Sequence, residues 1–134
     1  MQLIKFDNQF YESVPDHEMM AFPSKNSSYY TILVNRKKVG IVGFIPAKFP
    51  EHAGFVQILL IPEFRGKGLV KQAEDILVKK HKIKTLFATI KKSNLASIKS
   101  HKKIGFREIS KEQINNLREK GFLKDDEIRL VKNY

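Results

Sequence analysis

The stretch from Phe55 to Ile90 constrains this chain most. Phe55-Val56-Gln57-Ile58-Leu59-Leu60-Ile61 is a nearly continuous apolar run of strand length stopped by Pro62, which predicts a strand covered on both faces. Beyond Gly66 and Gly68, apolar residues fall at Leu69, Val70, Ala73, Ile76 and Leu77, with Lys71, Gln72, Glu74 and Asp75 between them. That spacing predicts an amphipathic helix of about three turns. Thr85-Leu86-Phe87-Ala88-Thr89-Ile90 then reads as a second buried strand. Strand, glycine turn, helix and strand make a βαβ unit, whose crossover is right-handed and whose two strands are parallel.

The flanking segments turn this unit into a mixed sheet. Tyr29–Val34 and Val39–Ile45 are β-branched and aromatic runs around the polar turn Asn35-Arg36-Lys37-Lys38, which predicts an antiparallel hairpin, and Pro46–Gly54 reads as a loop. The opening stretch through Lys25 lacks a clean period and reads as a short strand followed by irregular or briefly helical segments. Ser93 or Asn94 caps a second helix that runs through Lys103 and is ended by Gly105. Phe106–Ile109 is a short strand, and Ser110-Lys111-Glu112-Gln113 is a capping box opening a helix with Ile114 and Leu117 inside and Gly121 as its stop. Glu127–Val131 reads as a final strand. With 134 residues, 42% of them hydrophobic, and no Cys, the expectation is a single α/β domain over residues 1–134 that folds without disulfides. No apolar run approaches the roughly 18–20 residues of a membrane span, and the first eight residues lack the apolar region of a signal peptide. A cytoplasmic protein with no membrane partner is expected.

Pro62-Glu63-Phe64-Arg65-Gly66-Lys67-Gly68-Leu69-Val70 joins a buried strand to a helix start, where unpaired amides and the positive end of the helix dipole converge. Such a place binds anions, and Gly66 and Gly68 let the backbone approach a phosphate while Arg65 and Lys67 add charge. A dinucleotide fingerprint would need a glycine where Lys71 stands, and no P-loop pattern occurs. The ordinary alternative is that the two glycines only turn the chain.

Arg65-Gly66-Lys67-Gly68-Leu69-Val70 resembles the R/Q-x-x-G-x-G/A motif of the GNAT superfamily of N-acetyltransferases. Val70 stands where that family has Gly or Ala, which places a side chain beside the pyrophosphate. Asn94, Ala96, Ser97, Ile98 and then His101-Lys102-Lys103-Ile104-Gly105-Phe106 are similar to the family's N-x-x-[AS]…Y-x-x-x-G-F run. The two regions lie in the family's order on the family's elements, from about residue 29 onward. The resemblance implies a three-layer fold with helices on both faces of a mixed, mostly antiparallel sheet, splayed between a central parallel pair near Ile61 and Thr85. It implies acetyl-CoA as donor, its pantetheine arm paired with backbone groups of Leu60 and Ile61. The pyrophosphate then rests on the amides of Arg65, Gly66, Lys67, Gly68, Leu69 and Val70, with Asn94 near the pantetheine or thioester end.

Acyl transfer from a thioester to an amine needs a proton for a departing thiolate whose free pKa is about 8.5. His101 matches the position where the family commonly has a tyrosine acid, and a ring of pKa about 6.5 can donate near neutral pH. The bland reading is a solvated residue on a basic helix, and Tyr29, Tyr30 or Tyr134 are other donors. For the base that takes the amine proton, Glu51, His52 and Gln57 are the nearby polar residues, with Glu51 the carboxylate among them. Four scattered His and no Cys argue against a metal site.

Twenty-five Lys and Arg against fourteen Asp and Glu give a net charge of +11. Ten of those cations and no carboxylate lie between Ile76 and Arg107. A solvated basic face that also attracts CoA is one reading, and a docking surface for nucleic acid or an acidic protein is the other. Together these features predict an acetyl-CoA-dependent N-acetyltransferase acting on an amine of a small molecule, a protein or an aminoacyl-tRNA. The alternative is an inactive module of the same fold that binds nucleic acid or an acidic partner. An exposed sheet edge or the last strand is available to pair two copies as a homodimer.

Overall fold

The computed structural model describes residues 1–21 and 27–134, in two units, Met1–Lys84 and Thr85–Tyr134. In the first unit, β1 (Gln2–Lys5), β2 (Ser28–Val34), β3 (Lys37–Pro46) and β4 (Ala53–Leu60) pair in that order, each pairing antiparallel. The expected hairpin is present with a tighter turn than the sequence indicates. Asn35 and Arg36 alone form it, with φ of 49° and 66°, and Val34 pairs directly with Lys37. Two successive left-handed residues match the twist of the flanking strands, so Lys37 and Lys38 join β3 instead of the turn.

Successive residues of β2 face opposite sides of this sheet. On one side the Thr31 hydroxyl accepts from the amide of Asp7 at 2.9 Å, and Asp7 in turn caps α1 (Asn8–Ser13) by accepting from the amide of Phe10. On the other side the Tyr30 hydroxyl meets Nε2 of His81, at the end of α2 (Leu69–His81), at 2.7 Å. A helix therefore covers each face. The opening stretch is a strand, a short helix and a single 3₁₀ turn at His17–Met19, and its expected continuation from Phe22 to Lys25 lies outside the described residues.

Two expectations need correction here. The strand read as covered on both faces has Val56 and Leu60 buried, but Phe55, Ile58 and Leu59 only half-buried. In α2 the buried positions are Leu69, Ala73, Glu74, Leu77 and Val78, so the core-facing stripe is rotated toward Glu74 and Val78 and away from Val70 and Ile76. Spacing alone assigned Glu74 to the polar side, because a carboxylate is seldom fully buried.

In the second unit, β7 (Glu127–Asn133) lies between β5 (Thr85–Lys91) and β6 (Arg107–Glu108), antiparallel to both. Leu86, Ala88 and Ile90 are buried with Ile128 and Leu130 on one face, whereas Thr89 and Lys91 are exposed, so β5 is not the fully buried strand expected. Asn94, not Ser93, caps α3 (Leu95–Lys103), accepting from the amide of Ser97 at 3.2 Å. Ser110 and Gln113 form the predicted reciprocal capping box at the start of α4 (Lys111–Glu119), and Gly121, at φ 76°, follows its end.

Candidate functional site

In the first unit β4 ends at Leu60, and the chain passes through Ile61 and a 3₁₀ turn at Pro62–Phe64 into the glycine turn. Gly66 and Gly68 hold φ of 73° and 75°, which only glycine adopts without strain, and a Cβ at either would meet nothing within 4 Å. Gly68 is the N-cap of α2, where no side chain caps the helix and the first turn carries no acidic residue. The first-turn amides of this 13-residue helix therefore have no side-chain cap at its positive end.

The turn is tied to the strand before it. Nε of Arg65 donates to the carbonyl of Leu60 at 3.1 Å, the amide of Ile61 donates to Val39, and the carbonyl of Ile61 accepts from Phe64. Backbone groups expected to meet the pantetheine arm are thus partly used within the chain, and the second lone pairs of those carbonyls remain for a ligand. The ammonium groups of Lys37 and Lys67 lie 5.1 and 5.5 Å from the Phe64 ring centroid. Lys37 escaped the sequence reading because it was assigned to the hairpin turn. Its signal was the register: a β3 strand reaching back to residue 37 must pass beside the end of β4. An open left-handed turn, uncapped amides and three nearby cations suit a phosphate chain.

Glu51 lies in the loop between β3 and β4, at the far end of β4 from the glycine turn, roughly 25 Å of extended chain away. It is exposed and makes no hydrogen bond or ion pair with the described residues. His52 gives its carbonyl to the amide of Lys84, and Gln57 Oε1 accepts from the amide of Ala21. Burial pushes the Tyr29 phenol up to about 12 and raises that of Tyr30. Both hydroxyls are engaged, Tyr29 with the carbonyl of Ala21 and Tyr30 with His81, while Tyr134 is exposed with Lys132 over its ring.

In the second unit Asn94 and His101 sit at opposite ends of α3. His101 is not a solvated residue: it is 6% exposed and stacked edge-on against Phe106. Its Nδ1 lies 2.9 Å from the carbonyl of Ser97, which only accepts, so Nδ1 carries a proton. All ten cations between Ile76 and Arg107 are exposed. Four of them, Lys79, Lys80, Lys82 and Lys84, close the first unit, and six lie in the second. Only Lys102 among the ten forms an ion pair with a described carboxylate, Glu108 at 3.7 Å. Among the described residues no group of three or more His, Cys, Asp or Glu is placed to hold a metal ion, and no helix is long and apolar enough to cross a membrane.

A strand leading through an open glycine turn into an uncapped helix is an α/β arrangement of the kind that suits anions. The chain belongs to the acetyltransferase (GNAT) family, whose model matches residues 2–106. This bears out the resemblance carried by Arg65–Val70 and by the run from Asn94 to Phe106. Solved structures share the fold over nearly the whole chain. A point mutant of the spermidine N-acetyltransferase SpeG from Vibrio cholerae matches with a TM-score of 0.72 at 14% identity, over 99% of this chain and 95% of that one. The N-acetyltransferase PseH from Campylobacter jejuni, in complex with acetyl coenzyme A, matches with a TM-score of 0.69 at 14% identity, over 98% and 97%. A Bacillus subtilis acetyltransferase in complex with CoA matches with a TM-score of 0.71 at 17% identity, over 99% and 97%. No curated protein matches the sequence.

Proposed function

We propose that this chain is a cytoplasmic, acetyl-CoA-dependent N-acetyltransferase in which a bound amine attacks the thioester directly. The observation that carries the reading is the open glycine turn at Gly66 and Gly68 on the uncapped start of α2. The amides of Arg65, Gly66, Lys67, Gly68, Leu69 and Val70 hold the pyrophosphate in this reading, Lys37 and Lys67 offset its charge, and the backbone at Leu60 and Ile61 orients the pantetheine arm. Asn94 serves the thioester end. Acetyl-CoA, when bound, supplies the activated acetyl group, and no metal takes part. His101 gives the proton to the departing thiolate in this reading. Glu51, an exposed carboxylate, takes the amine proton in this reading.

The acceptor follows from charge. Spermidine, named in the SpeG neighbour, is a polycation, and a chain of net charge +11 with ten exposed cations between Ile76 and Arg107 repels it. An amine carried on a neutral or anionic molecule suits this surface better, which favours aminoacyl-tRNA or an acidic protein over a polyamine. The same cations support a second reading, a homologue without activity that binds nucleic acid while Val70 crowds the cradle. Two copies pairing through a free sheet edge are compatible with either.

Calorimetric titration with acetyl-CoA at moderate salt, with Gly68→Glu as control, tests the proposal. Micromolar binding lost in the variant supports a working donor site. Absence of binding in the natural chain, with a steep salt-dependent affinity for RNA, replaces it with the second reading.

A further inference from the structure

β1 is an edge strand: it pairs with β2 along one side, and no other described strand lies against its outer side. Among the described residues a row of main-chain donors and acceptors is therefore open there. Two grooves flank this edge. One, a shallow open groove of about 310 Å³, is lined by Leu3, Ile76, Lys79 and Lys80. The other, of about 330 Å³, is formed by Met1, Gln2, Leu33, Asn35 and Arg36. Gln2 pairs with Leu33 and Leu3 with Ile32, so the two grooves open on opposite faces of the sheet. A strand laid along β1 sends alternate side chains to these two faces, and each face offers a recess beside at least one cation.

The charges select the occupant. Lys5, Arg36, Lys79 and Lys80 are exposed, and none forms an ion pair with a described carboxylate. Two acidic residues on the adjoining elements are already taken, Asp7 by Lys38 and Asp75 by Lys71. A second copy of this chain would set these four cations against themselves, so edge-to-edge dimerisation through β1 is disfavoured. RNA suits the charge but uses neither the open main chain nor the apolar Leu3 and Ile76. Tyr30, the ring beneath Lys80, is half-buried with its hydroxyl 2.7 Å from Nε2 of His81, so it offers no stacking platform.

We infer that β1 is a docking edge for an extended acidic peptide, added as an extra strand, with an apolar side chain over Leu3 and Ile76 and carboxylates facing Lys5, Lys79, Lys80 and Arg36. Main-chain bonding supplies affinity and the two recesses supply selectivity. This surface is separate from the glycine turn, so its test stands apart from acetyl-CoA binding.

The probe is a synthetic strand-length peptide of alternating Val and Glu, titrated by fluorescence anisotropy beside its Val/Lys counterpart, the same acidic peptide N-methylated at alternate residues, and a uridine oligonucleotide. The acidic peptide binds, the basic one does not, and N-methylation weakens binding by about tenfold or more because it removes ladder donors. Lys79→Glu with Lys80→Glu weakens binding by at least about tenfold through like-charge repulsion. Hydrogen exchange slows at Gln2–Lys5 when the peptide is bound. Equal binding of the N-methylated peptide, no added protection in β1, or tighter binding of the oligonucleotide through the same lysines overturns the inference.

Discussion

Tyr29 and Gln57 hold the same residue from the two sides of Gly43. Both pair across β3 with Gly43, and above it the Tyr29 hydroxyl donates to the carbonyl of Ala21 at 2.5 Å while Gln57 accepts from the Ala21 amide at 2.9 Å. The absent side chain at position 43 makes room for the Tyr29 ring. A Cβ there would sit 2.5 Å from both the carbonyl oxygen of Ser28 and Cγ of Tyr29. Gly43→Ala is expected to cost about 1–3 kcal/mol, as overpacking does, and urea unfolding measures it. Gly66→Ala meets no neighbour, so its cost is the strain of a positive φ alone.

The same contact makes stability depend on alkaline pH. Burial raises the Tyr29 phenol to about 12, above its unfolded value of about 10. The unfolded chain therefore loses this proton first, and the contribution, complete below pH about 10, is lost as pH rises toward 12. Unfolding free energies measured from pH 8 to pH 11 should fall, and Tyr29→Phe should flatten the slope without abolishing it, since Tyr11 and Tyr30 are raised as well.

At acid pH one group in the first unit that titrates out of its ordinary range is His81. Burial first, and Lys80 second, lower its pKa, with the ring edge-on to Phe44 and Nε2 facing the Tyr30 hydroxyl. A lowered histidine stabilises the fold above its unfolded pKa of about 6.5, and this contribution is lost as pH falls through the folded value. The imidazole resonances of His81 should titrate below those of a model histidine. Lys80→Met removes the second of these causes and should move the midpoint toward the model value.

How much of this was legible follows from which forces act locally. The glycine turn, the Ser110–Gln113 box and the stop at Gly121 depend on residues a few positions apart, and all three were readable. The tight hairpin turn was misread because Asn35-Arg36 is no glycine-bearing signature, and only pairing of Val34 with Lys37 reveals it. Glu74 and His101 are buried against the local signal for a different reason. Their residue types favour solvent, and tertiary packing overrode that preference. The contact of Gln57 with Ala21 spans thirty-six positions and left no trace in any local pattern.

Asn94 separates structure from chemistry most sharply. Its side-chain oxygen caps α3 by accepting from the Ser97 amide at 3.2 Å, which is reason enough for an asparagine there. The proposed function gives it a second task at the thioester end of the donor, one that uses the amide group. Asn94→Asp keeps the cap acceptor and adds a favourable charge at the helix N-terminus, so stability should hold or rise by a few tenths of a kcal/mol. Asn94→Ala removes the cap and should cost about 1 kcal/mol. If Asn94 also serves the donor, both variants lose acetyl-CoA affinity in calorimetric titration although only alanine loses stability. If the residue is a cap alone, aspartate binds acetyl-CoA as the natural chain does, and its role at the donor falls.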